Sequence, residues 1–265
     1  MHNFNYHRAA DVADAAAKLT ATEDPKLLAG GMTLLPTLKN RLAAPSDLID
    51  LAAISDLKGI SVESGEVVVR AMTPHAVVAA SAEVQKALPA LAQLAGNIGD
   101  PAVRHRGTIG GSVANSDPAA DYPAACVGLD ATIVTNQRKI AADDFFVGLF
   151  ETALEPSEII TEVRFQIPDR AYYMKFRHPA SGYAVVGVMV AQFGAKVRVA
   201  VTGAGPCVFR VAEMEAALEK SFAPASVANI HVSAEQLMGD IHCSAAYRAH
   251  LITVYARRAV EAMVG

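Results

Sequence analysis

Residues Arg106 to Tyr122 read RGTIGGSVANSDPAADY, a run of glycines, hydroxyls, aspartates and alanines. Only Ile109, Val113 and Tyr122 bring much apolar bulk. Read alone, the stretch does not fill a core. Such composition is expected where backbone must come close to a ligand, because glycine has no Cβ and tolerates positive φ. Thr108, Gly110, Gly111 and Ser112 form a potential concave run of amides, the kind of surface that receives phosphate oxygens. A second run, Ala29-Gly30-Gly31-Met32-Thr33, follows the apolar segment PKLL and precedes MTLLPTLKNRL. The spacing predicts a strand, a glycine loop and a helix starting near Thr33, whose N-terminus would favour an anion. Neither run continues as the GK[ST] of a P-loop, and neither is a GxGxxG fingerprint. A tight turn accounts for Gly30-Gly31 as well as a ligand does. Two amide-rich loops, with Asp121 for a hydroxyl or ring nitrogen, suit a nucleotide diphosphate.

Working outward, Asp11 to Thr22 reads as a capped, Ala-rich helix and PSDLIDL as a strand. GISVESGEVVVRAMT alternates on both sides of Ser64-Gly65 and predicts a hairpin. PHAVVAASAEVQKALPALAQLAGN is helical with a break near Pro89. After the small-residue run come a helix and strand in YPAACVGLDATIVTNQRKI, a loop AADDFFVGLFETALEPSE and a strand IITEVRFQIP. From Ala171 three strand-like runs suggest an antiparallel meander. Helices follow in VAEMEAALEKS, SAEQLM and SAAYRAHLITVYARRAVEAMV, the last with Leu251, Val254, Tyr255 and Arg258 on one face. The expected division is 1–58, 59–170 and 171–265, three α+β units in series.

The bulk numbers narrow the function. The chain has 265 residues, 52% hydrophobic, with a formal charge of -4. That supports sizeable cores and gives no basic stripe for nucleic acid. No apolar run approaches the roughly 18 residues of a membrane span. MHNFNYHRAADVADAAAKL lacks the order of a secretory signal, so a cytoplasmic location is expected. Three cysteines lie far apart and cannot hold an iron–sulfur cluster within the chain. The histidines show no metal-binding spacing, and no metal site or catalytic side chain is assigned. Asp117 and Asp100 precede prolines and read as turn residues. His75 and His105 read as structural or exposed, Arg104 and Arg106 as surface charge or phosphate attractors, and Asp121 as a helix cap or a cofactor contact.

LLAGGMTLLPTLKNRLAAPSDLIDL, IGDPAVRHRGTIGGSVANSDPAADYPA and EPSEIITEVRFQIP closely resemble the FAD-binding medium subunit of molybdenum hydroxylases, the xanthine dehydrogenase and aerobic carbon monoxide dehydrogenase family. The likeness runs from near Phe4 to about Val190 and more weakly beyond. It implies an α+β protein with a FAD-binding fold of the vanillyl-alcohol oxidase/MurB type in two subdomains. A C-terminal domain with an antiparallel three-stranded sheet and helices completes that plan. It implies that Ala29, Gly30, Gly31, Met32, Thr33 and Leu34, with Thr108, Gly110, Gly111 and Ser112, hold the FAD diphosphate. Asn115 and Asp121 would line the flavin and its chain, and Ile98, Gly99 and Ile160 would lie beside it. Tyr173 would lie against the ring face, and Lys175 would stand near the flavin. Implied partners are a small subunit with [2Fe-2S] clusters and a large subunit with molybdenum cofactor, assembled as a dimer of heterotrimers. This chain would be the oxidoreductase subunit that passes their electrons through FAD to an external acceptor. A self-contained flavin reductase or oxidase, and a flavin-free assembly scaffold, are the alternatives on the same fold. Met32 and Thr33 replace the family's usual histidine or glutamine and serine, and Gly182 stands where an aspartate is common.

Overall fold

The computed structural model describes residues 1–265. Near the N-terminus, Asp11 accepts a hydrogen bond from the Asp14 N–H at 2.8 Å and starts the helix Val12–Ala21. This helix connects the strands Asn5–Arg8 and Pro25–Leu28, and a further helix, Leu34–Lys39, leads to the strand Asp47–Asp50. Asp47–Asp50 lies between the other two strands and is parallel to both. Parallel neighbours require crossovers, which the two helices supply.

The expected hairpin is Ile60–Glu63 with Glu66–Arg70. Ser64 and Gly65 both have positive φ, 52° and 81°, the backbone of a tight two-residue turn that matches strand twist. Ile160–Gln166, Thr132–Thr135 and Lys139–Ala141 extend the hairpin into a five-stranded antiparallel sheet. Between Arg70 and Thr132 the chain makes six short helices. The predicted break falls at Pro89, and a second falls at Ser81, whose hydroxyl caps Ala82–Ala87 by accepting from the Val84 N–H.

The small-residue stretch departs from its reading. Ile109–Asn115 is a helix, capped by the Thr108 hydroxyl. Ile109, Gly110, Val113, Ala120, Asp121 and Tyr122 are all buried. The run does pack, because small size lets backbone approach backbone. A Cβ on Gly110 would stand 2.6 Å from the Ala71 Cβ and 2.8 Å from its carbonyl oxygen.

The C-terminal sheet has four antiparallel strands where three runs are visible in the sequence. Arg170–Arg177, Ala184–Phe193 and Lys196–Thr202 are joined by the two-residue strand Phe209–Arg210. The helices Ala212–Lys220 and Ala245–Val264 pack against it. The last helix buries Arg248, Leu251, Ile252, Ala256, Ala259 and Val260, a face rotated from the predicted one; Arg258 is exposed and stacks over Tyr255. Ser233–Met238 forms turns in place of the expected helix. AADDFFVGLFETALEPSE is more ordered than the expected loop, with the helix Ala142–Phe145 and a small hairpin.

The cores do not stop at the sheets. The largest joins Val67, Leu91, Phe145 and Phe165 of the middle region to Tyr173, Met189 and Ala200 of the C-terminal sheet. A small core beneath the parallel sheet takes in Met72 and Ile159 from the middle region. No helix is long and apolar enough to cross a membrane.

Candidate functional site: a cleft between two glycine segments

A cleft of about 450 Å³ opens where the parallel sheet meets the five-stranded one. That volume lies in the range of small-molecule sites, roughly 300–1,000 Å³. Fifteen of the seventeen residues singled out in the sequence line it: Ala29 to Leu34, Ile98, Gly99, Thr108, Gly110, Gly111, Ser112, Asn115, Asp121 and Ile160. Residues far apart in sequence converge because the Pro25–Leu28 strand ends, and the Ile109–Asn115 helix starts, at the cleft.

On the first wall the chain leaves Leu28 and bends at Gly31, whose φ of +73° favours glycine. No N–H from Ala29 through Leu34 donates to a backbone carbonyl. Unpaired amides in series require water or a ligand. Gly30 serves the contact between the walls. A Cβ there would meet the Arg106 carbonyl oxygen at 2.1 Å, so the two segments touch through it.

On the second wall the amides are engaged. The Ile109 N–H donates to the Thr73 carbonyl at 3.2 Å and the Gly110 N–H to the Ala71 carbonyl at 2.8 Å. The Gly111 N–H donates to the Thr108 hydroxyl and the Ser112 N–H to the Thr108 carbonyl. The expected amide cradle is therefore a capped helix start. It presents Thr108, Gly111, Ser112 and Asn115 to the cleft. Gly111 faces the first wall, since a Cβ on it would lie 3.3 Å from the Ala29 Cβ.

Tyr173 and Lys175 are not part of the lining. Tyr173 is 2% exposed, and its hydroxyl donates to Asp121 at 2.6 Å. The Lys175 ammonium pairs with the other Asp121 oxygen at 2.8 Å and reaches the Asn97 carbonyl at 3.2 Å. Asp121 does not cap the Tyr122–Gly128 helix; its carboxylate is taken by these two partners instead. Burial pushes its carboxyl up, against the pull of Lys175. The trio locks the C-terminal sheet to the cleft wall. Two arginines finish the arrangement around Ile98 and Gly99: Arg104 donates to the Ile98 carbonyl at 2.9 Å and Arg177 to the Gly99 carbonyl at 2.7 Å.

Several lining residues escape the sequence reading. Tyr183, 44% exposed, is the tyrosine of the lining and lies in the turn between the strands Arg170–Arg177 and Ala184–Phe193. It lies in HPASGYA, beside the Gly182 departure, which is the signal that could have found it. Lys26 is the one lysine or arginine in the lining. Its position three residues before Ala29 was the available signal. Glu158 is held by Arg138 through bonds of 2.8 and 2.9 Å, which pull its carboxyl down to about 2. Asp117 accepts from the Ala119 N–H as a turn residue does, yet it also faces the cleft, and burial pushes its carboxyl up. His75 completes the floor.

This geometry has known counterparts. A family model described as "FAD binding domain in molybdopterin dehydrogenase" matches residues 2–169. The carbon monoxide dehydrogenase medium chain of Afipia carboxidovorans is 36% identical over 282 residues, covering 98% of this chain and 96% of that one. The nicotine 6-hydroxylase medium subunit of Paenarthrobacter nicotinovorans is 36% identical over 271 residues, covering 96% and 95%. A solved Cu,Mo-CO dehydrogenase chain superposes with a TM-score of 0.87 at 33% identity, covering 98% of each chain. A quinoline 2-oxidoreductase chain from Pseudomonas putida 86 gives 0.88 at 28% identity, covering 98% and 96%.

Proposed function

This chain belongs to the family of FAD-binding medium subunits of molybdenum hydroxylases, and we propose that it is the exit through which such an enzyme releases its electrons. The partners in this reading are a small subunit carrying [2Fe-2S] clusters and a large subunit carrying the molybdenum cofactor, as a dimer of heterotrimers. When bound, FAD supplies redox chemistry that joins single-electron carriers to two-electron acceptors; the protein binds, orients and tunes it.

The observation that carries the reading is the series of unpaired N–H groups from Ala29 to Leu34 on one wall of the cleft. They fit a group rich in anionic oxygens, as a diphosphate is. Met32 can stand where the family has a polar side chain because its contribution is the backbone amide. Thr33, Thr108 and Ser112 add hydroxyls, and Lys26 adds the positive charge that two phosphates call for. Asn115 offers both donors and an acceptor to the rest of the cofactor. Ile98, Ile159 and Ile160 give apolar surface for a ring system, and Tyr183 closes the rim from the C-terminal sheet. In this account 1–58 and 59–170 supply the two walls, and 171–265 supplies the rim. Tyr173 and Lys175 act at one remove, by holding Asp121 and the Asn97–Gly99 segment.

Two measurements test the reading. The purified chain should show flavin absorption, and FAD should be released on denaturation. Native purification should bring two further chains together with molybdenum, iron and acid-labile sulfur. A colourless protein that takes up no added FAD would end the proposal. A flavoprotein that purifies alone and turns over a substrate unaided would replace it with a self-contained flavin enzyme.

A further inference from the structure

His75 sits beneath the second glycine segment, and its backbone N–H donates to the Gly107 carbonyl at 3.0 Å. His75 is among the residues that line the cleft although it is only 4% exposed. A Cβ on Gly107 would lie 2.6 Å from the ring Nε2, so glycine is needed there to make room for the imidazole. The ring centroid is 5.3 Å from that of Tyr122, which is fully buried. Two buried polar atoms of this pair, His75 Nδ1 and the Tyr122 hydroxyl, have no hydrogen-bond partner in the protein. Such atoms are uncommon in folded proteins and call for a specific account.

Burial and the neighbouring Arg104 guanidinium bring the imidazole down to about 4, so it is neutral near pH 7. A neutral imidazole has one N–H and one bare nitrogen. A tyrosine hydroxyl can donate, and a bare Nδ1 can accept. A single buried water between two such atoms is a common solution in protein interiors.

We propose that Tyr122 donates through one buried water to His75 Nδ1, fixing the proton on Nε2 and making His75 a hydrogen-bond donor to an acceptor oxygen of the bound FAD. The proposal rests on the FAD reading above. It gives the second wall a donor in place of the amides committed to its own helix. His75 is then a binding residue of the cofactor, and Tyr122 is a positioning residue that acts through it.

The test has one arm that needs no cofactor. Nitrogen-15 NMR of the histidine side chains in the flavin-free full chain should show His75 neutral and protonated on Nε2 at pH 7. In Tyr122→Phe the Nδ1–H form should become detectable. An Nδ1–H or imidazolium His75 in the wild type, or a tautomer indifferent to Tyr122→Phe, overturns the proposal. The second arm is FAD titration of folded variants, checked by circular dichroism. His75→Gln, which can return an N–H near the Nε2 position, should bind within about threefold of wild type. His75→Asn, too short to do so, should bind about tenfold more weakly, the order expected for one lost hydrogen bond. Equal affinity for both variants overturns the donor role. Failure of the wild type to bind FAD counts against the FAD reading, while the tautomer measurement still stands or falls by itself.

Discussion

The two glycine segments look alike in the sequence and do opposite things in the structure. Ala29–Leu34 leaves its amides without backbone partners and bends through a left-handed Gly31. Thr108–Ser112 commits its amides to Thr73, Ala71 and its own cap, and uses Gly110 to bring a helix onto a strand end. One segment is shaped for something outside the chain and the other mainly for the chain itself. Glycine pairs therefore mark close approach of backbone, and only the destination of the neighbouring N–H groups tells which partner is approached.

The comparison can be broken by variants, and the largest effect is expected at the end of the second stretch. Lys175→Ala leaves Asp121 buried without its cation, and removal of one member of a buried pair costs about 3–5 kcal/mol. Chemical denaturation should show this loss; a near-neutral variant would mean that Asp121 does not depend on the pair.

Next in size is the acid response of His75, on which Gly107 rests. Its value falls from 6.5 to about 4 through burial and Arg104. The unfolded chain takes the proton first as pH falls. Stability from this residue is therefore complete above about 6.5 and declines down to about 4, by about 3 kcal/mol in all at 1.36 kcal/mol per unit. Unfolding midpoints of wild type and His75→Gln measured across that window should converge as pH falls.

Gly110→Ala tests the close approach on the second wall, with an expected cost of about 1–3 kcal/mol from overpacking against Ala71. Its thermal midpoint should drop whether or not FAD is present. Gly31→Ala on the first wall should cost about 1–2 kcal/mol for the left-handed backbone. It should also weaken FAD binding by about tenfold, because a misaimed amide loses a charge-assisted bond. Equilibrium titration separates the two variants: both lose stability, but the clear loss of cofactor affinity should be confined to Gly31. Met32→Ala should change affinity by less than about threefold, as expected if the backbone and not the side chain binds. A larger change would return a direct role to the methionine.

Much of this was legible in the sequence because the signals were local. The Ser64-Gly65 turn, the Asp11 cap and the alternating strands each follow from a few adjacent residues. So did fifteen residues of the cleft lining, through the resemblance carried by the two glycine motifs. What was hidden depends on distant partners. The helix Ile109–Asn115 contains two glycines, a serine and an asparagine, all poor helix formers. It forms because Thr108 caps it and the core receives Ile109 and Val113. Tyr173 and Tyr183 are both plausible aromatics in one region of the sequence, and only the fold shows that the first, inside a strand, meets Asp121 while the second, in the turn before the next strand, lines the cleft. The buried face of the last helix includes Arg248, whose guanidinium donates to the Val185 carbonyl at 2.7 Å. No pattern of apolar residues announces such a contact.

The match to the family model ends at residue 169, yet the largest core runs on into Tyr173, Met189 and Ala200. A Cβ on Gly128 would stand 2.5 Å from the Met189 Cγ, so helix and sheet meet there with no space between them. The Thr202 hydroxyl reaches back to the carbonyls of Pro118 and Ala120. A chain cut after the family boundary would expose that seam and leave those carbonyls open. The unit that the family model matches is thus smaller than the packed unit, and a recombinant fragment ending at residue 169 should aggregate.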